Sequence, residues 1–346
     1  MSLKEIAKNL GLSITTVSRA LNGYDDVAEE TRQRIQAEAD RLGYRPNMMA
    51  RRLKMGKIDA IGLVCPSGSL HHSNGMLLEM ITEISHELAQ KEIDLLLIAD
   101  ESETGSSNLK RLLQGRRVDA FIVAHTLNDD PRLKLLQQHH FPFIALGRSE
   151  LTRPYAWFDF DNYQGTAIAT QHLLQLGHQR IVLLKEDSHQ TYVMQRHAGY
   201  IDAMNAAGIA VPVDAVITVP DSRRFGYLMT KSLLEKNEPP TAIITTTSML
   251  GDGAAQALVE AGALNGQVAL IVYDGLPADS LVTEDVSAII QATRREVGQQ
   301  IANMVLDLLS GRPLSALQVL WLPQLRLGNT SYPPLFGTVS SVIAKT

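Results

Sequence analysis

The first residues whose types and spacing suggest chemistry lie near the N-terminus. Ile14, Thr15, Ser18, Arg19 and Asn22 fall on one face of a predicted helix. They offer short hydrogen-bonding groups, one methyl-bearing side chain and one guanidinium, which are groups that read base edges in a DNA groove. On periodicity alone, a solvated amphipathic helix explains the pattern equally well.

A second pair of polar residues lies in the longer remainder of the chain. Asp274 closes the apolar run IVYD, where its carboxylate could accept hydrogen bonds from two adjacent hydroxyls or could instead cap a helix. Arg196 lies in a predicted helix after KEDSHQTY, and its planar fork of donors suits a ligand or a surface salt bridge. Together the two side chains are complementary to a sugar.

Motifs for catalysis and for cofactor binding are missing from the sequence. There is no GxGxxG after a first strand, no GxxxxGK, no GxSxG and no HExxH. His71 and His72 are adjacent, which is the wrong spacing for one helix face, and have no carboxylate or cysteine companion. We therefore expect a protein that is not an enzyme and that has neither a cofactor nor a metal site.

Length and charge indicate a small module joined to a large one. The 346 residues exceed one ordinary domain, and residues 1–57 carry eleven Lys and Arg against seven Asp and Glu, net +4, which leaves −9 for the rest of a chain of net charge −5. The N-terminus lacks a signal-peptide pattern, and no apolar run approaches the roughly 18 residues of a membrane span. We expect a cytoplasmic, nucleoid-associated protein with no membrane partner.

The small module, residues 1–44, reads as a helix-turn-helix. Ser2 and Glu5 form a capping box, Gly11 ends the first helix, and Ser13 can cap the second. A third helix, from about Ala28 to Leu42, closes the core. The expected core positions are Ile6, Ala7, Leu10, Val17, Ala20, Leu21, Thr31, Ile35, Ala39 and Leu42.

The segment RPNMMARRLKMGK, residues 45–57, follows directly. Asn47 can open a helix in which Ala50 and Leu53 share one face while Lys54 and its basic neighbours reach phosphates. An apolar wedge flanked by cations is what a minor-groove intercalating element requires, although a plain basic linker is the commoner case. Since so short a helix is unstable alone, it should order only against a partner.

From residue 58 the chain alternates apolar runs with helical stretches. The runs form two groups of four, DAIGLVCP, IDLLLIAD, VDAFIVAH and PFIALGR, then QRIVLLKE, AVITVP, TAIITTTS and QVALIVYD. This pattern predicts two doubly wound parallel-sheet subdomains with a ligand cleft between the carboxyl ends of their strands. We place 58–160 with 292–317 in one subdomain, 161–291 with 318–330 in the other, and 331–346 in a tail.

The N-terminal runs MSLKEIAKNLGLSITTVSRALNG and VAEETRQRIQAEADRLGYRPNMMARRLK resemble the lactose/galactose repressor (LacI/GalR) family. The resemblance implies an α-helical headpiece and hinge helix on a periplasmic-binding-protein-like α/β domain. It implies that the second helix lies in the major groove, that Leu53 and its two-fold mate lever open a central base step, and that a homodimer binds double-stranded operator DNA. The implied DNA-binding residues are Ser2, Leu3, Ser13, Ile14, Thr15, Thr16, Ser18, Arg19, Asn22, Asn47, Ala50, Leu53 and Lys54.

The resemblance also ranks the cleft residues, and within the family the chain is most similar to raffinose or α-galactoside repressors. The implied effector contacts are Ser73, Asn74, Arg148, Asp161, Arg196, Thr247, Asp274 and Gln291. The chain departs from the family where Thr247 and Ser248 replace the usual Asn or Asp followed by Asp. It also departs where Gly147 and Arg148 follow IAL, a position that is often acidic in lactose-type members.

These observations predict a repressor of a sugar-utilisation operon that a small sugar, an α-galactoside, releases from a palindromic operator. A regulator that binds DNA with a purine-type co-repressor is an alternative. A sugar-binding transport protein of the same fold would need a signal peptide and would lack the headpiece. A carbohydrate-acting enzyme would need a carboxylate pair at a suitable spacing, which the sequence does not offer.

Overall fold

The computed structural model describes residues 2–21, 24, 26–44, 58–66, 76–100, 107–264 and 266–334. The chain divides into two compact units, Met1–Asp59 and Ala60–Thr346. Of the sequence predictions, the hinge segment 45–57, Asn22, Ser73, Asn74 and most of the C-terminal tail lie outside the described residues. Within those residues, no helix combines the length and the apolar character needed to cross a membrane.

The small unit contains the predicted helix-turn-helix. Its helices are α1 (Leu3–Leu10), α2 (Ile14–Leu21) and α3 (Glu29–Arg41). The Ser2 backbone N–H donates to Glu5 at 3.2 Å in the predicted capping box. Gly11 ends α1 at φ 66°, in the left-handed region that glycine adopts without strain. Thr16 N–H donates to Ser13 Oγ at 3.0 Å, which begins α2 as expected.

The core of the small unit is built from one apolar stripe on each helix. Leu3, Leu10, Leu21, Leu42 and Tyr44 pack around a buried centre, while Thr31 is only half-buried. Val27, in the loop before α3, joins that centre and was not predicted. The buried residues are Ile6, Ala7, Val17, Ala20, Val27, Ile35 and Ala39.

The large unit alternates strands and helices as the sequence predicts. In chain order its elements are β1 (Ala60–Pro66), α4 (Met76–Ala89), β2 (Asp94–Asp100), α5 (Ser107–Gln114), β3 (Ala120–Val123), α6 (Pro131–Gln138), β4 (Phe143–Leu146), β5 (Ala156–Phe160), α7 (Asn162–Gln175), β6 (Ile181–Glu186), α8 (Thr191–Ala206), β7 (Val216–Val219), α9 (Arg223–Leu234), β8 (Ala242–Thr245), α10 (Ser248–Glu260), β9 (Ala269–Tyr273), β10 (Ser287–Ile290), α11 (Arg294–Leu309), β11 (Gln318–Trp321) and β12 (Gln324–Arg326).

The strands form two sheets, each the centre of one subdomain. The first sheet has the order β11-β5-β4-β3-β1-β2 with parallel pairing throughout. The second has the order β12-β10-β9-β8-β6-β7, and its β10–β12 pair is antiparallel. Because parallel strands point the same way, the carboxyl ends within each sheet share one edge, which is where ligands of such folds bind.

Crossings of the chain between the sheets correct two of the predicted boundaries. Residues 318–321 were assigned to the second subdomain, but β11 pairs with β5 at the edge of the first sheet, and the chain crosses at Leu322–Pro323 before β12 joins the second. The tail was expected from residue 331. Tyr332, however, packs in the second subdomain, its hydroxyl donating to Leu264 O at 2.8 Å and its carbonyl contacting His178 Nε2 at 2.6 Å.

The strand β5 was missing from the predicted runs. Its sequence AWFDF contains a charged residue, so it does not read as a continuous apolar strand. Asp159 is nevertheless buried in it, because Arg148 Nε donates to Asp159 Oδ2 at 2.9 Å and supplies the compensating charge.

Helices α7 and α8 pack closely at Gly199, which gives a testable prediction. A Cβ on Gly199 would lie 2.1 Å from the backbone oxygen of Tyr163, which neither helix can accommodate without shifting. An exposed helical Gly→Ala change usually stabilises a protein. We expect Gly199→Ala to destabilise the large unit by about 1–3 kcal/mol instead, measured by urea unfolding. An unchanged unfolding midpoint would contradict this packing.

Candidate functional site

A cavity of about 290 Å³ lies at the carboxyl ends of the strands and is lined by both subdomains. The first subdomain supplies mainly an apolar wall: Met80, Leu146, Phe158, Phe160, Val297 and Ile301. The second supplies mainly polar groups: Tyr192, Arg196, Asp221, Thr247 and Asp274. Gln291, directly after β10, also lines the cavity, so four of the predicted effector residues meet there.

Arg196, on α8, is the buried centre of the polar side and is 5% exposed. Its Nε donates to Asn162 Oδ1 at 2.9 Å, and its Nη1 donates to the Thr246 carbonyl. The guanidinium stacks on the Tyr273 ring at 3.4 Å from the centroid. These contacts fix the guanidinium in one orientation. Because Arg196 is buried, the surface salt bridge that the sequence left open as an alternative role is excluded.

Asp274 directly follows β9 and faces the cavity. Its Oδ2 lies 3.8 Å from Arg196 Nη2, and its Oδ1 lies 3.8 Å from Arg294 Nη2. Among the described residues, Oδ1 has no hydrogen-bond donor although it is buried. Since no helix begins at Asp274, the alternative role as a helix cap is excluded, and a ligand hydroxyl is the kind of donor that Oδ1 lacks.

Thr247 combines two roles at the start of α10. Its hydroxyl accepts from Leu250 N–H at 3.2 Å, which caps the helix, and donates to Asp221 Oδ1 at 2.6 Å. The hydroxyl in place of the family's usual amide or carboxylate thus orients Asp221, a cavity residue that the sequence analysis did not single out. Its position after the run ITVP, at the end of β7, is the signal that could have identified it.

Two predicted effector residues do not line the cavity. Asp161 caps α7 by accepting from Gln164 N–H at 2.9 Å. Arg148 pairs with Asp159 and lies 5.7 Å from the Trp157 ring. The neighbouring Asp159 and Asn162 line the cavity instead, and Asn162 Nδ2 donates to Asp159 Oδ1 at 3.3 Å.

Together these residues form a polar chain from Arg148 through Asp159 and Asn162 to Arg196. Burial raises the pKa of Asp159, and Arg148 opposes that shift. Beside Arg196, the fully buried Glu186 accepts a hydrogen bond from the Thr246 hydroxyl, and burial raises the pKa of Glu186 against the opposing charge of Arg196. In both carboxyls, desolvation and a neighbouring arginine therefore shift the pKa in opposite directions.

A short bridge joins the two subdomains at the rim of the cavity. Thr126 O, after β3, accepts from Thr191 N–H at 2.9 Å and from the Thr191 hydroxyl at 3.1 Å. His125 Nδ1 contacts Gln190 Oε1 at 2.9 Å. Burial lowers the pKa of His125, so its ring is neutral and donates this bond through Nδ1–H. Movement of one subdomain against the other must break or shift this bridge.

In the small unit, one face of α2 is open to solvent. Ser13, Ile14, Thr15 and Arg19 are exposed, and Thr16 and Ser18 are half-buried, while Val17 and Ala20 face the core. Ser2 is exposed and Leu3 half-buried at the start of α1. The predicted DNA-binding residues that the structure describes are therefore all at least partly exposed.

Arg19 has a partner that the sequence analysis missed. Its Nε donates to Asp26 Oδ1 at 3.0 Å, its Nη2 lies 2.5 Å from Asp26 Oδ2, and its guanidinium lies over the Tyr24 ring at 4.9 Å.

In the described part of the chain, no group of three or more His, Cys, Asp or Glu could hold a metal ion.

Comparison with protein families assigns both units. Residues 2–47 match the model of bacterial regulatory proteins of the lacI family, and residues 59–315 match that of periplasmic binding proteins and the sugar binding domain of the LacI family. The chain belongs to the LacI family. It is therefore a DNA-binding transcriptional regulator rather than an enzyme, in agreement with the sequence analysis.

Individual LacI-family proteins resemble the chain along its length. The HTH-type transcriptional regulator RafR of Escherichia coli is 49% identical over 338 residues, which cover 97% of this chain and all of RafR. AglR of Rhizobium meliloti strain 1021 is 33% identical over 94% of this chain and 92% of AglR.

Solved structures share the fold. The crystal structure of a candidate transcriptional regulator from Yersinia pestis biovar Microtus is 48% identical, covers 80% of this chain and 100% of its own, and superposes with a TM-score of 0.78. The lac repressor dimer bound to operator and the anti-inducer ONPF is 24% identical, covers 96% of this chain and 99% of its own, and has a TM-score of 0.81. At that identity the second likeness supports the fold alone.

Proposed function

We propose that this LacI-family protein is a cytoplasmic, dimeric repressor of a sugar-utilisation operon. It binds a palindromic operator, and a small neutral sugar, an α-galactoside, releases it. The resemblance of the sequence to raffinose and α-galactoside repressors and the 49% identity to RafR support the choice of operon class.

The observation that carries this proposal is the division of the cavity into an apolar wall and a polar wall. A sugar ring presents C–H groups on one face and hydroxyls around its edge, so Phe158 and Phe160 suit the ring face while Arg196 and Asp274 suit adjacent hydroxyls. We assign effector contacts to Arg196, Thr247, Asp274 and Gln291, and we retain Ser73 and Asn74 from the sequence. Arg148 acts through Asp159, and Asp161 acts by fixing the start of α7.

Charge favours a neutral ligand over a phosphorylated one. Asp274 and Asp221 face the cavity, and Arg196 is already engaged by Asn162, the Thr246 carbonyl and Asp274. A phosphate dianion would lie beside these carboxylates, and both cavity arginines, Arg196 and Arg294, already lie 3.8 Å from Asp274.

Exposed apolar residues support the dimer. On the edge strand β2, Leu96 and Leu97 are 38% and 48% exposed, and Leu78 on α4 is 63% exposed. An exposed apolar edge strand can pair with strands of other molecules and cause aggregation, so the sheet edges of stable proteins are usually covered. We propose that a second copy covers this one.

Release follows from the preference of the sugar for one arrangement of the subdomains. Coupling between two sites is typically about 1–3 kcal/mol, so the sugar weakens operator binding about 5- to 150-fold rather than abolishing it. In this scheme, rearrangement of the subdomains separates the paired hinge segments 45–57. Because so short a helix is unstable alone, each hinge helix then unfolds and dissociates from the DNA.

The test is binding of the full-length dimer to a palindromic duplex from the region upstream of neighbouring sugar genes, by fluorescence anisotropy at fixed salt. We expect tight binding that raffinose, melibiose or galactose weakens. Binding that none of these changes would reject the α-galactoside, and binding that a purine strengthens would identify a co-repressed regulator. Sequence-independent binding in every condition would overturn the proposal.

The wedge role of Leu53 gives a separate prediction. We expect Leu53→Ala to weaken specific operator binding about 10- to 100-fold, because the intercalating side chain is what holds the bent operator. Sugar affinity, measured by calorimetry, serves as the control and should stay within twofold of the parent. Equal operator affinity would remove Leu53 from the interface.

A further inference from the structure

Among the described residues, the guanidinium of Arg19 is paired along one edge. Asp26 accepts from Nε at 3.0 Å and contacts Nη2 at 2.5 Å, which is a two-point pairing along the Nε–Nη2 edge. Tyr24 lies under the plane of the guanidinium at 4.9 Å. The Arg19 side chain remains 44% exposed. Asp26 and Tyr24 thus orient the guanidinium, and no other residue of the described part of the chain hydrogen-bonds its opposite end, Nη1 and the second Nη2 proton.

That accessible end is the one that reads a guanine. Arginine recognises guanine by donating two parallel hydrogen bonds to O6 and N7, and the Nη1–Nη2 end has the matching geometry. A carboxylate on the side edge does not compete for those donors. Pairing with Asp26 restricts the rotamers of Arg19 before DNA binds, so less side-chain entropy is lost on binding.

We propose that Asp26 is a positioning residue for sequence readout: it holds Arg19 so that the Nη1–Nη2 end faces a guanine in each operator half-site. The inference rests on the proposed operator binding by α2. Asp26 also places a negative charge beside the Arg19 guanidinium, which disfavours contacts between this arginine and the phosphates of non-specific DNA. Both effects raise the ratio of specific to non-specific affinity.

The test uses the full-length dimer and a palindromic duplex that it selects from a randomised library, compared with symmetric single-base variants and an unrelated duplex. Arg19→Ala first identifies the guanine, as the position at which discrimination disappears. At that position we expect Asp26→Ala to reduce discrimination about 10-fold, the effect of one good bidentate contact. Affinity for the unrelated duplex should be equal or higher.

Three controls separate positioning from charge and from folding. Glu30→Ala removes the same charge from an exposed site on α3 and should leave the discrimination ratio unchanged. In an Arg19→Ala background, Asp26→Ala should have no further effect on the ratio. Since the Arg19–Asp26 pair is exposed, thermal unfolding of the headpiece should shift little.

The outcomes distinguish this inference from the proposed function. Loss of operator binding in Arg19→Ala with an unchanged ratio in Asp26→Ala would overturn the positioning role and leave the proposed function intact. If Arg19→Ala itself leaves operator recognition unchanged, readout by this face of α2 is wrong and the role of Asp26 is overturned with it. A reduced ratio that is equal for Asp26→Ala and Glu30→Ala would assign the effect to charge alone and would also overturn positioning.

Discussion

Asp274→Asn is expected to bind operator like the parent protein but to lose its response to sugar. Asn keeps the shape of the side chain and tolerates the φ of 67° at this position, which Ala would adopt only with strain. It removes the charge and one of the two acceptor oxygens. Charge-assisted hydrogen bonds contribute about 1.5–3 kcal/mol, so sugar affinity should fall roughly 10- to 100-fold. Calorimetry with the inducing sugar and anisotropy with operator measure the two properties on one sample.

Asp187→Asn is the matched control for this experiment. Asp187 is exposed directly after β6, and its backbone N–H donates to Val219 O, a bond that the side-chain change leaves intact. It should retain both operator binding and the sugar response. A full response in Asp274→Asn would remove Asp274 from the ligand site.

Arg196→Ala is expected to damage the large unit itself. The change leaves the Thr246 carbonyl and Asn162 Oδ1 without their donor, and it removes the charge that opposes the buried Glu186 and Asp274. Breaking a buried pair from one side costs about 3–5 kcal/mol. Urea unfolding should show this loss, and sugar binding should disappear with it.

The deficit of Arg196→Ala should depend on pH. Burial raises the pKa of Glu186 in the folded protein, and loss of Arg196 raises it further. A carboxyl with a raised pKa in the folded state stabilises the fold while it is protonated. The free energy of unfolding therefore falls as the pH rises through that raised pKa. The deficit should be smaller at about pH 5 than at about pH 8. Arg224→Ala, at an exposed position on α9, should unfold like the parent. An equally stable Arg196→Ala would contradict the buried network.

Local signals explain why the headpiece could be predicted closely. Its capping box at Ser2, its glycine turn at Gly11 and its helical stripes all act within a few residues. The Arg19–Asp26 pair escaped because it spans a loop whose geometry the sequence does not specify. The strands of the large unit that are continuously apolar were equally accessible to prediction.

The cleft was only partly predictable, because its polar groups are defined by partners far apart in sequence. Arg196 and Asp274 were singled out from their residue types and positions, and the family resemblance then ranked them as effector contacts. Asp221 and His125 also follow predicted strands, so their position at the carboxyl ends of strands could have identified them. Asp159 required knowledge that Arg148 would compensate its burial. Asp161 and Asn162 are adjacent in FDFDN, and only the start of α7 decides that the first caps the helix and the second faces the cavity.

The crossings between the two sheets also govern how the protein can be made on the ribosome. The core of the first subdomain begins at Ile61 but needs Val297, Ile301 and Val305 of α11 and, beyond them, Leu317. Its first strand, β1, therefore emerges more than 200 residues before the helix that packs into the same core. The headpiece core closes within residues 3–44 and can fold while synthesis continues. A chain stalled before residue 294 would present a folded DNA-reading module attached to two unfinished sheets, so premature termination should give aggregation-prone fragments rather than a free effector domain.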